Sequence, residues 1–233
     1  MEENKFMQSL NLFQIPAMFK EYYQIKENCR TGLLKYLAQA VSLLPKANNP
    51  RILDIGCGTG VPTIWLAETY GGIITAIDTD IHALEWLQLK LADKKLENHV
   101  VSVNISFFNL KTESDYFDII LAEGFLNIIG FELGFVKVIS MVKKGGYFVI
   151  HDEYKDHEKK CDFIRKNHCD LVGTVFLDES VWWNDYYKQL EEGIESLDVI
   201  QKKNLFKAEL NEIELYEKDP SSFRSIYYVV RRQ

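Results

Sequence analysis

A strand followed by three closely spaced glycines constrains this chain more than any other feature. Residues 52–55, Ile-Leu-Asp-Ile, have the composition of a short buried strand, and residues 62–70 have that of a helix with a proline in its first turn. Between the two lie glycines at alternate positions: Gly56, Gly58 and Gly60. Glycine lets the backbone turn tightly and approach a ligand with no Cβ in the way, so this loop predicts a binding site.

An acidic residue after the next strand completes the pattern. Residues 73–77 are again mostly apolar, and Asp78 follows them. At this place in a doubly wound sheet, a carboxylate can accept the hydroxyl groups of a ribose. The N-terminus of the helix that follows the glycines offers unpaired N–H groups to electronegative ligand atoms. The loop and Asp78 together therefore predict a site for a nucleoside cofactor.

The glycine spacing distinguishes two kinds of nucleoside cofactor. A dinucleotide site has the pattern Gly-x-Gly-x-x-Gly, which makes room for a pyrophosphate, whereas Val61 stands at the position of the third glycine here. Asp54 precedes the first glycine by two residues, where a carboxylate can orient the loop and attract a ligand ammonium. A ligand with a ribose and an ammonium but no pyrophosphate fits S-adenosylmethionine. A nicotinamide-dependent oxidoreductase is the less favoured alternative.

The order of apolar segments predicts the fold class. Strands and helices alternate after residue 51, which is typical of βαβ units and a parallel sheet. The pattern predicts strands at 52–55, 73–77, 100–105, 117–122, 147–151, 171–176 and 223–230, and helices at 17–28, 33–44, 62–70, 81–92, 131–142 and 156–167. Two more helices are expected in the charged stretch 179–218. We expect an α/β fold with a doubly wound, seven-stranded, mostly parallel sheet, N-terminal helices and a helical insertion before the last strand.

We expect the chain to form one domain over residues 1–233. Hydrophobic residues make up 47% of the chain, which is enough for a sizeable core, and no flexible linker interrupts it. The stretch before the last strand has no strand set of its own, so it is interpreted as part of the same domain. The expected parts are an N-terminal helical cap at 1–50, a cofactor-binding core at 51–177, a helical cap insertion at 178–218 and the last strand at 219–233.

Taken together, these motifs resemble those of the class I S-adenosylmethionine-dependent methyltransferases. The resemblance covers nearly the whole chain and is most specific in residues 54–60, Asp-Ile-Gly-Cys-Gly-Thr-Gly, combined with Asp78. The fourth strand and the turn into the fifth strand also match, at 116–120 and 144–148. The segments 122–124, 127–132 and 181–187 are similar to a largely uncharacterised subgroup of small-molecule type. The resemblance implies a methyltransferase that converts S-adenosylmethionine to S-adenosylhomocysteine.

The resemblance also implies which residues bind the cofactor. The glycine loop would hold the methionine part and the sugar, and the acid after the second strand would bind the ribose. Ser106 stands where the family often has an acidic residue near the adenine, so the adenine is expected to rely on backbone groups and apolar packing. The expected cofactor-binding residues are Asp54, Gly56, Cys57, Gly58, Gly60, Asp78, Thr79, Ser106, Phe107 and Glu123.

Catalytic and acceptor-binding residues are expected at the carboxyl ends of the strands. Glu123 follows the fourth strand and His151 the fifth, where either can orient the acceptor or remove a proton. The alternative, purely structural interpretations are a helix cap for Glu123 and a strand-end histidine with a backbone partner for His151. Aromatic clusters near both cap segments can line an acceptor pocket or simply pack a cap. The candidate acceptor residues are Tyr22, Tyr23, Asn127, Trp182, Trp183 and Tyr186.

Charge limits the choice of acceptor. The formal net charge is −7, and no compact basic stretch is present to attract a phosphate backbone. Nucleic acid is therefore a disfavoured acceptor, and a small molecule is expected. A protein that binds S-adenosylmethionine for regulation without catalysis remains an alternative, although no substitution in the glycine loop favours it.

Cysteine and histidine positions predict no metal and no disulfide. The four cysteines contain no Cys-x-x-Cys pair, and the spacing of His157, Cys161, His168 and Cys169 matches no zinc pattern closely. The first ten residues are acidic and polar, unlike a secretory signal, and no run of 18 apolar residues occurs. A cytoplasmic location without membrane contact is the simplest expectation. The sequence leaves the oligomeric state open.

Overall fold

The computed structural model describes residues 17–233, except for the side chains of residues 17, 18, 202 and 203. Seven strands form one sheet in the order β3-β2-β1-β4-β5-β7-β6, and β7 runs antiparallel to both of its neighbours. The strands are β1 Arg51–Ile55, β2 Ile73–Asp78, β3 Val100–Asn104, β4 Phe117–Glu123, β5 Val142–Glu153, β6 Cys169–Leu177 and β7 Ser225–Arg232. The predicted doubly wound, mostly parallel sheet is confirmed.

Helices cover both faces of this sheet. They are α1 Ala17–Val41, α2 Val61–Tyr70, α3 Ile81–Lys94, α4 Leu126–Ile129, α5 Phe131–Met141, α6 His157–Lys166, α7 Glu179–Trp182, α8 Lys188–Glu195, α9 Val199–Leu205 and α10 Lys207–Lys218. A single π-helical turn, Trp183–Tyr187, joins α7 to α8. No helix in the described part of the chain is both long and apolar enough to cross a membrane.

The side chains of the central strands alternate between two separate core layers, one on each face of the sheet. Ile52 of β1 packs with α1, α2 and α3 on one face of the sheet, while its neighbour Leu53 packs with α5 and α6 on the other face. Both side chains are fully buried. Burial on both faces explains why these strands are apolar throughout. Because strands β1 to β5 pair in parallel, their carboxyl ends meet at one edge of the sheet.

The N-terminal part differs from the prediction because one helix replaces two. The pattern predicts helices at 17–28 and 33–44, whereas α1 runs without a break from Ala17 to Val41 and so covers the first and most of the second. Gly32 lies in its interior, where glycine weakens a helix. The structure gives the reason for this glycine: a Cβ there would lie 2.2 Å from the backbone oxygen of Asp185, which follows α7. The glycine therefore serves close packing rather than a turn.

The segment between β6 and β7 also differs from the prediction. It contains α7, the π-helical turn, α8, α9 and α10 instead of two helices. The break before α9 is made by Asp198, whose carboxylate accepts hydrogen bonds from the N–H groups of Ile200 and Gln201 at 2.8 and 2.9 Å. Capping of this kind starts a new helix in a charged stretch that otherwise suits a continuous one.

A third apolar cluster joins α1 to this segment. Cys29 and Leu33 of α1 pack against Leu190 of α8 and Ile213 of α10, with the fully buried Phe206 between α9 and α10. The two parts of the chain that flank the sheet in sequence are therefore packed on each other over the strand ends.

We predict that Gly32→Ala lowers stability although it improves helix propensity. Alanine would favour the helix by about 1 kcal/mol, but its Cβ must displace the Asp185 backbone, and overpacking of this kind costs about 1–3 kcal/mol. Thermal unfolding should show a melting temperature lower by a few degrees. A raised melting temperature would contradict the close-packing role of this glycine.

Candidate functional site

The glycine loop is held by the end of β2. The N–H groups of Gly56 and Cys57 both donate to the Ile77 carbonyl, at 2.9 and 3.1 Å. Gly60 has a φ of 77°, and a Cβ there would lie 2.4 Å from Leu87 of α3. Only glycine satisfies both constraints, because other residues disfavour this φ and have a Cβ. The loop therefore turns directly into α2.

The carboxylate of Asp78 closes this loop. One of its oxygens accepts a hydrogen bond from the Gly58 N–H at 2.7 Å, and the other accepts one from the Asp80 N–H at 2.9 Å. Each carboxylate oxygen has two lone pairs, so both remain able to accept a further hydroxyl group. Asp78 thus joins the glycine loop to the next helix start and still presents acceptors to a ligand.

Asp78 lines two neighbouring cavities, and most of the residues expected to bind the cofactor line one or both of them. The first cavity has a volume of about 300 Å³ and is lined by Asp54, Gly56, Cys57, Gly58, Asp78 and Glu123 from the core. The cap segments add to it the predicted tyrosines Tyr22, Tyr23 and Tyr186. The second cavity has a volume of about 340 Å³ and shares Gly56, Asp78 and Glu123 with the first. One continuous surface thus runs around Asp78.

The second cavity has a more apolar lining than the first. Thr79 and Phe107 line it as predicted, together with Ile105, Phe125 and Ile128. Ser106 does not line it. Its hydroxyl instead accepts the Phe108 N–H at 3.4 Å and caps a short 3₁₀ turn. Ser106 thus caps a turn and lines neither the first nor the second cavity, and its expected place near the adenine stays a prediction.

Asp54 is a buried acid with a perturbed pKa. Its side chain is almost fully buried, and one oxygen accepts the Thr63 hydroxyl at 2.5 Å. Burial raises the pKa of Asp54 to about 7, and the hydrogen bond from Thr63 opposes this rise only in part. The group is consequently poised between its neutral and charged forms near neutral pH, and a cation in the first cavity would favour the charged form.

Glu123 is held between two partners at the end of β4. One carboxylate oxygen contacts the guanidinium of Arg30 from α1, and the other accepts a hydrogen bond from the hydroxyl of Tyr227 in β7. The Glu123 side chain is only 6% exposed. Burial raises the pKa of Tyr227 well above its ordinary value, so this phenol stays protonated and donates to the carboxylate. The structure therefore presents Glu123 as a positioned hydrogen-bond acceptor.

His151 lies away from the first and second cavities. Its ring stacks on Tyr227, with 4.3 Å between ring centroids, and on Trp182, with 5.9 Å. Burial lowers the pKa of His151 to about 4, so the imidazole is neutral at neutral pH. The near-neutral pKa on which its choice as a general base rested is therefore not found. His151 instead lines a third cavity of about 400 Å³, together with Asn127 and Trp182.

The two remaining candidates, Trp183 and Cys57, lie in different surroundings. Trp183 lines none of the three cavities and stacks on Tyr216 of α10, with 5.9 Å between ring centroids. Cys57 lines the first cavity, and burial raises the pKa of its thiol, which stays protonated. Within residues 17–233, no group of histidines, cysteines and carboxylates is arranged to hold a metal ion.

Sequence reasoning missed the charged face of α1. Lys26 and Arg30 line the first cavity beside Tyr22 and Tyr23. The spacing 22, 26, 30 puts these side chains on one face of a helix, so helical periodicity could have pointed to them. Their partners lie far away in sequence, and only the folded chain brings them together.

Polar contacts fix α1 over the strand ends. The hydroxyl of Tyr23 donates to both oxygens of Asp80, at 2.9 and 3.1 Å, beside the ribose-type carboxylate. Lys26 pairs at 2.9 Å with Glu209 of α10, a residue that is itself buried. The helix is thereby tied both to the core and to the segment before β7.

The fold and the carboxylate-closed glycine loop define a Rossmann-like protein with a nucleoside-cofactor site. The family model described as "Methyltransferase domain" matches residues 46–194, and the chain belongs to this family. The resemblance to the class I S-adenosylmethionine-dependent methyltransferases is thereby confirmed for the fold and the family.

Two relatives match over part of the sequence. An uncharacterised protein of Haemophilus influenzae is 24% identical over 126 residues, which are 52% of this chain and 50% of the relative. Ribosomal RNA small subunit methyltransferase C of a Marinomonas species is 29% identical over 96 residues, which are 41% of this chain and 26% of the relative. The chain thus spans half or less of the length of these relatives.

Solved structures share the fold at low sequence identity. The [4+2]-cyclase SpnF has a TM-score of 0.73 at 14% identity, covering 85% of this chain and 80% of the other. A methyltransferase of Geobacter sulfurreducens in complex with S-adenosylhomocysteine has 0.69 at 16%, covering 94% and 99%. Coclaurine N-methyltransferase, bound to N-methylheliamine and S-adenosylhomocysteine, has 0.67 at 16%, covering 86% and 70%.

The burial of His151 predicts how the stability of the protein changes with pH. Its pKa is about 4 in the fold but about 6.5 in the unfolded chain, so the unfolded chain binds more protons between these values. This contribution to stability is complete above pH 6.5 and is lost as the pH falls towards 4. Replacing His151 by Gln removes the effect.

Thermal unfolding of wild type and His151→Gln at pH 8 and pH 5 measures the difference directly. Between these pH values, the free energy of unfolding of the wild type should fall relative to that of the variant by about 2 kcal/mol. Use of the difference cancels the opposing contribution of Asp54, which both proteins share. A difference that is independent of pH would show that the buried imidazole does not titrate this way.

Proposed function

We propose that this protein transfers a methyl group from S-adenosylmethionine to a small-molecule acceptor by in-line displacement. The observation that carries the proposal is the hydrogen bond between the Asp78 carboxylate and the Gly58 N–H, which gathers a glycine loop and a ribose-type acceptor into one surface. The two adjoining cavities suit the two ends of an adenosyl sulfonium, one being polar and charged and the other apolar.

The charges of the first cavity suit the methionine end of this cofactor. A methionine zwitterion needs an anion for its ammonium and a cation for its carboxylate. Asp54 supplies the anion, and Arg30 and Lys26 supply cations from α1. Arg30 has five N–H donors, and the one hydrogen bond that it makes within residues 17–233 goes to Glu123. Its remaining donors are suited to a carboxylate.

The second cavity suits the adenine. Phe107 and Ile105 offer apolar surface there, and Thr79 lies beside Asp78. Ser106 lies outside this lining, and its two acids, Asp78 and Glu123, are proposed for the ribose and the acceptor, so apolar packing would carry the recognition of the base. We propose Asp78 for the ribose and the apolar group for the adenine.

S-adenosylmethionine supplies an activated methyl group, because its sulfonium leaves as a neutral thioether. The chain's own residues then have to hold the acceptor in line and exclude water. We propose that residues 17–50 of the expected N-terminal cap and the segment 178–218 do so together, as parts of one domain with the core; residues 1–16 of that cap lie outside the described residues. The third apolar cluster, between α1, α8 and α10, supports a joint action of the two segments.

Glu123 is our candidate for orienting the acceptor. Arg30 and Tyr227 fix its carboxylate at the edge where the first and second cavities meet. A carboxylate held in this way can accept a hydrogen bond from a hydroxyl or amine nucleophile and can take its proton as the new bond to carbon forms. His151 remains a candidate for contact with the acceptor, as a neutral hydrogen-bonding group.

Three observations favour a small molecule as the acceptor. The third cavity, of about 400 Å³, lies next to the cofactor cavities and has the size of a small-molecule site. The net charge of −7 opposes binding to a phosphate backbone. Coclaurine N-methyltransferase, which shares the fold, was solved with a small molecule. The ribosomal RNA methyltransferase is a relative over less than half of this chain, so RNA is kept as a test condition.

We predict that cofactor affinity weakens as the pH falls. The pKa of Asp54 is about 7 in the free protein, and only its ionised form attracts the ammonium. At pH 6 about a tenth of this group is ionised, so the dissociation constant for S-adenosylhomocysteine should be about tenfold larger than at pH 8. Isothermal titration calorimetry measures both values.

Variants separate this effect from general acid sensitivity. Asp54→Asn should bind more weakly at pH 8 and lose the pH dependence. Asp93→Asn, at an exposed acid on α3, is the matched control and should behave as the wild type. An unchanged pH dependence in Asp54→Asn would remove Asp54 from the ammonium site.

The acceptor itself is found by screening. Purified protein is incubated with S-adenosylmethionine and pools of small metabolites, or with total RNA, and the release of S-adenosylhomocysteine is measured. We expect turnover with a metabolite pool, and we expect Glu123→Gln to lower it by about 100-fold while the protein still binds S-adenosylhomocysteine.

Each other outcome of the screen has a defined meaning. Turnover with RNA alone would contradict the small-molecule proposal. Binding of the cofactor without turnover of any acceptor would favour the regulatory alternative. Binding of a nicotinamide dinucleotide instead would favour an oxidoreductase.

A further inference from the structure

The third cavity has an ordered aromatic wall. It shares Arg30 with the first cavity and Gly124 with the second, so it opens next to the place where both meet. Trp182, Tyr187 and Phe223 contribute aromatic rings to it. The sheet contributes polar groups at the ends of β5 and β7, chiefly His151 and Ser225. The cavity is therefore a flat-sided space beside the proposed cofactor site.

The wall is fixed by stacking and by a shared hydroxyl. The rings of Tyr227, His151 and Trp182 stack in sequence with interplanar angles of 9° and 10°. The indole N–H of Trp182 donates to the Ser225 hydroxyl at 3.2 Å, and His151 Nε2 lies 2.9 Å from the same oxygen. These contacts hold Trp182 and His151 in one orientation before any ligand binds. A ligand that packs on them therefore does not have to order these two side chains.

The same contacts are compatible with a proton on Nδ1 of His151. The Ser225 hydroxyl accepts from the Trp182 indole and can donate its own proton to His151 Nε2. With the Ser225 bond in that direction, the neutral imidazole carries its proton on Nδ1. Within the described residues Nδ1 has no hydrogen-bond partner, although His151 is only 3% exposed and lines the cavity. In this tautomer the aromatic wall presents the His151 N–H to the cavity as an available donor.

Charges of opposite sign balance in this cavity. Asp152 pairs at 2.8 Å with Lys160, and both side chains are largely buried. Arg30 pairs with Glu123. The charged lining residues that form no ion pair within the described residues are two of each sign: Glu153 and Glu212, Lys155 and Arg224. An ionised ligand would be desolvated there without a dedicated partner, so a neutral ligand is favoured.

We propose that the third cavity binds the body of the methyl acceptor, and that this acceptor is a neutral, planar, aromatic compound with an oxygen that accepts the Nδ1–H of His151. The proposal rests on the methyl-transfer function above and adds the substrate class. Trp182 provides the stacking face, and His151 fixes the in-plane orientation of the ligand. His151 is thus a specificity-determining residue whose imidazole stays neutral.

Binding to the cofactor-loaded protein tests the substrate class. The protein is first saturated with S-adenosylhomocysteine, and that titration is recorded. Four probes of equal ring size are then titrated by calorimetry: 2-naphthol, naphthalene, 2-naphthoate and 2-naphthylmethylamine. We expect 2-naphthol to bind about tenfold more tightly than each of the others, because it alone is neutral and offers an oxygen.

Variants assign the binding to this cavity. Trp182→Ala should weaken the binding of 2-naphthol by about tenfold. Trp183→Ala, at the neighbouring tryptophan that faces Tyr216, should leave the affinity within about twofold of the wild-type value. His151→Phe keeps an aromatic ring but removes the N–H donor. The variant should therefore bind 2-naphthol only as tightly as naphthalene, and its affinity for naphthalene should be unchanged. Circular dichroism and S-adenosylhomocysteine affinity verify that each variant is folded.

The outcomes separate this inference from the proposed function. Tighter binding of 2-naphthoate or of the amine would overturn the neutral class. Equal loss in both tryptophan variants, or no loss in His151→Phe, would overturn the assignment of the wall. Failure of every probe with S-adenosylhomocysteine bound would overturn this inference alone. Failure of S-adenosylhomocysteine to bind would overturn the methyl-transfer proposal itself.

Discussion

One hydrogen bond, from the Gly58 N–H to the Asp78 carboxylate, organises the functional edge of this molecule. It joins the loop after β1 to the end of β2, and both Asp78 and Gly56 then line two cavities at once. The bond depends on the sheet beneath it, because β1 and β2 are parallel neighbours whose ends must meet. Two-sided burial fixes these strands in register, so the core holds the binding surface in place.

The cap is attached to this edge by charge rather than by apolar packing alone. Arg30 of α1 reaches Glu123 at the end of β4, and Lys26 reaches Glu209 in α10. Ion pairs with a buried carboxylate are costly to break, since the remaining charge would be left without a partner. The same helix therefore covers the first cavity, supplies its cations and fixes the carboxylate proposed to orient the acceptor.

The cofactor side of the site was predictable, whereas the acceptor side was only partly so. Asp54, the glycine loop and Asp78 lie within 25 residues of sequence, and local spacing alone places them together. Ser106 uses its hydroxyl to cap a turn, and Trp183 packs on Tyr216, so neither lines one of the three cavities. The position of His151 at the end of a strand was predictable, but its neutral state follows from burial between two rings.

The amino-acid sequence by itself determined the sheet, its parallel order and the nucleoside site, because strand alternation and glycine spacing are local signals. Tertiary structure decided the rest. It made one helix of the N-terminal segment, since Gly32 is required by contact with the Asp185 backbone rather than by a turn. It also brought Arg30, Glu123 and Tyr227 into one cluster. Contacts between residues about 100 positions apart leave no periodic trace, so only the folded chain reveals them.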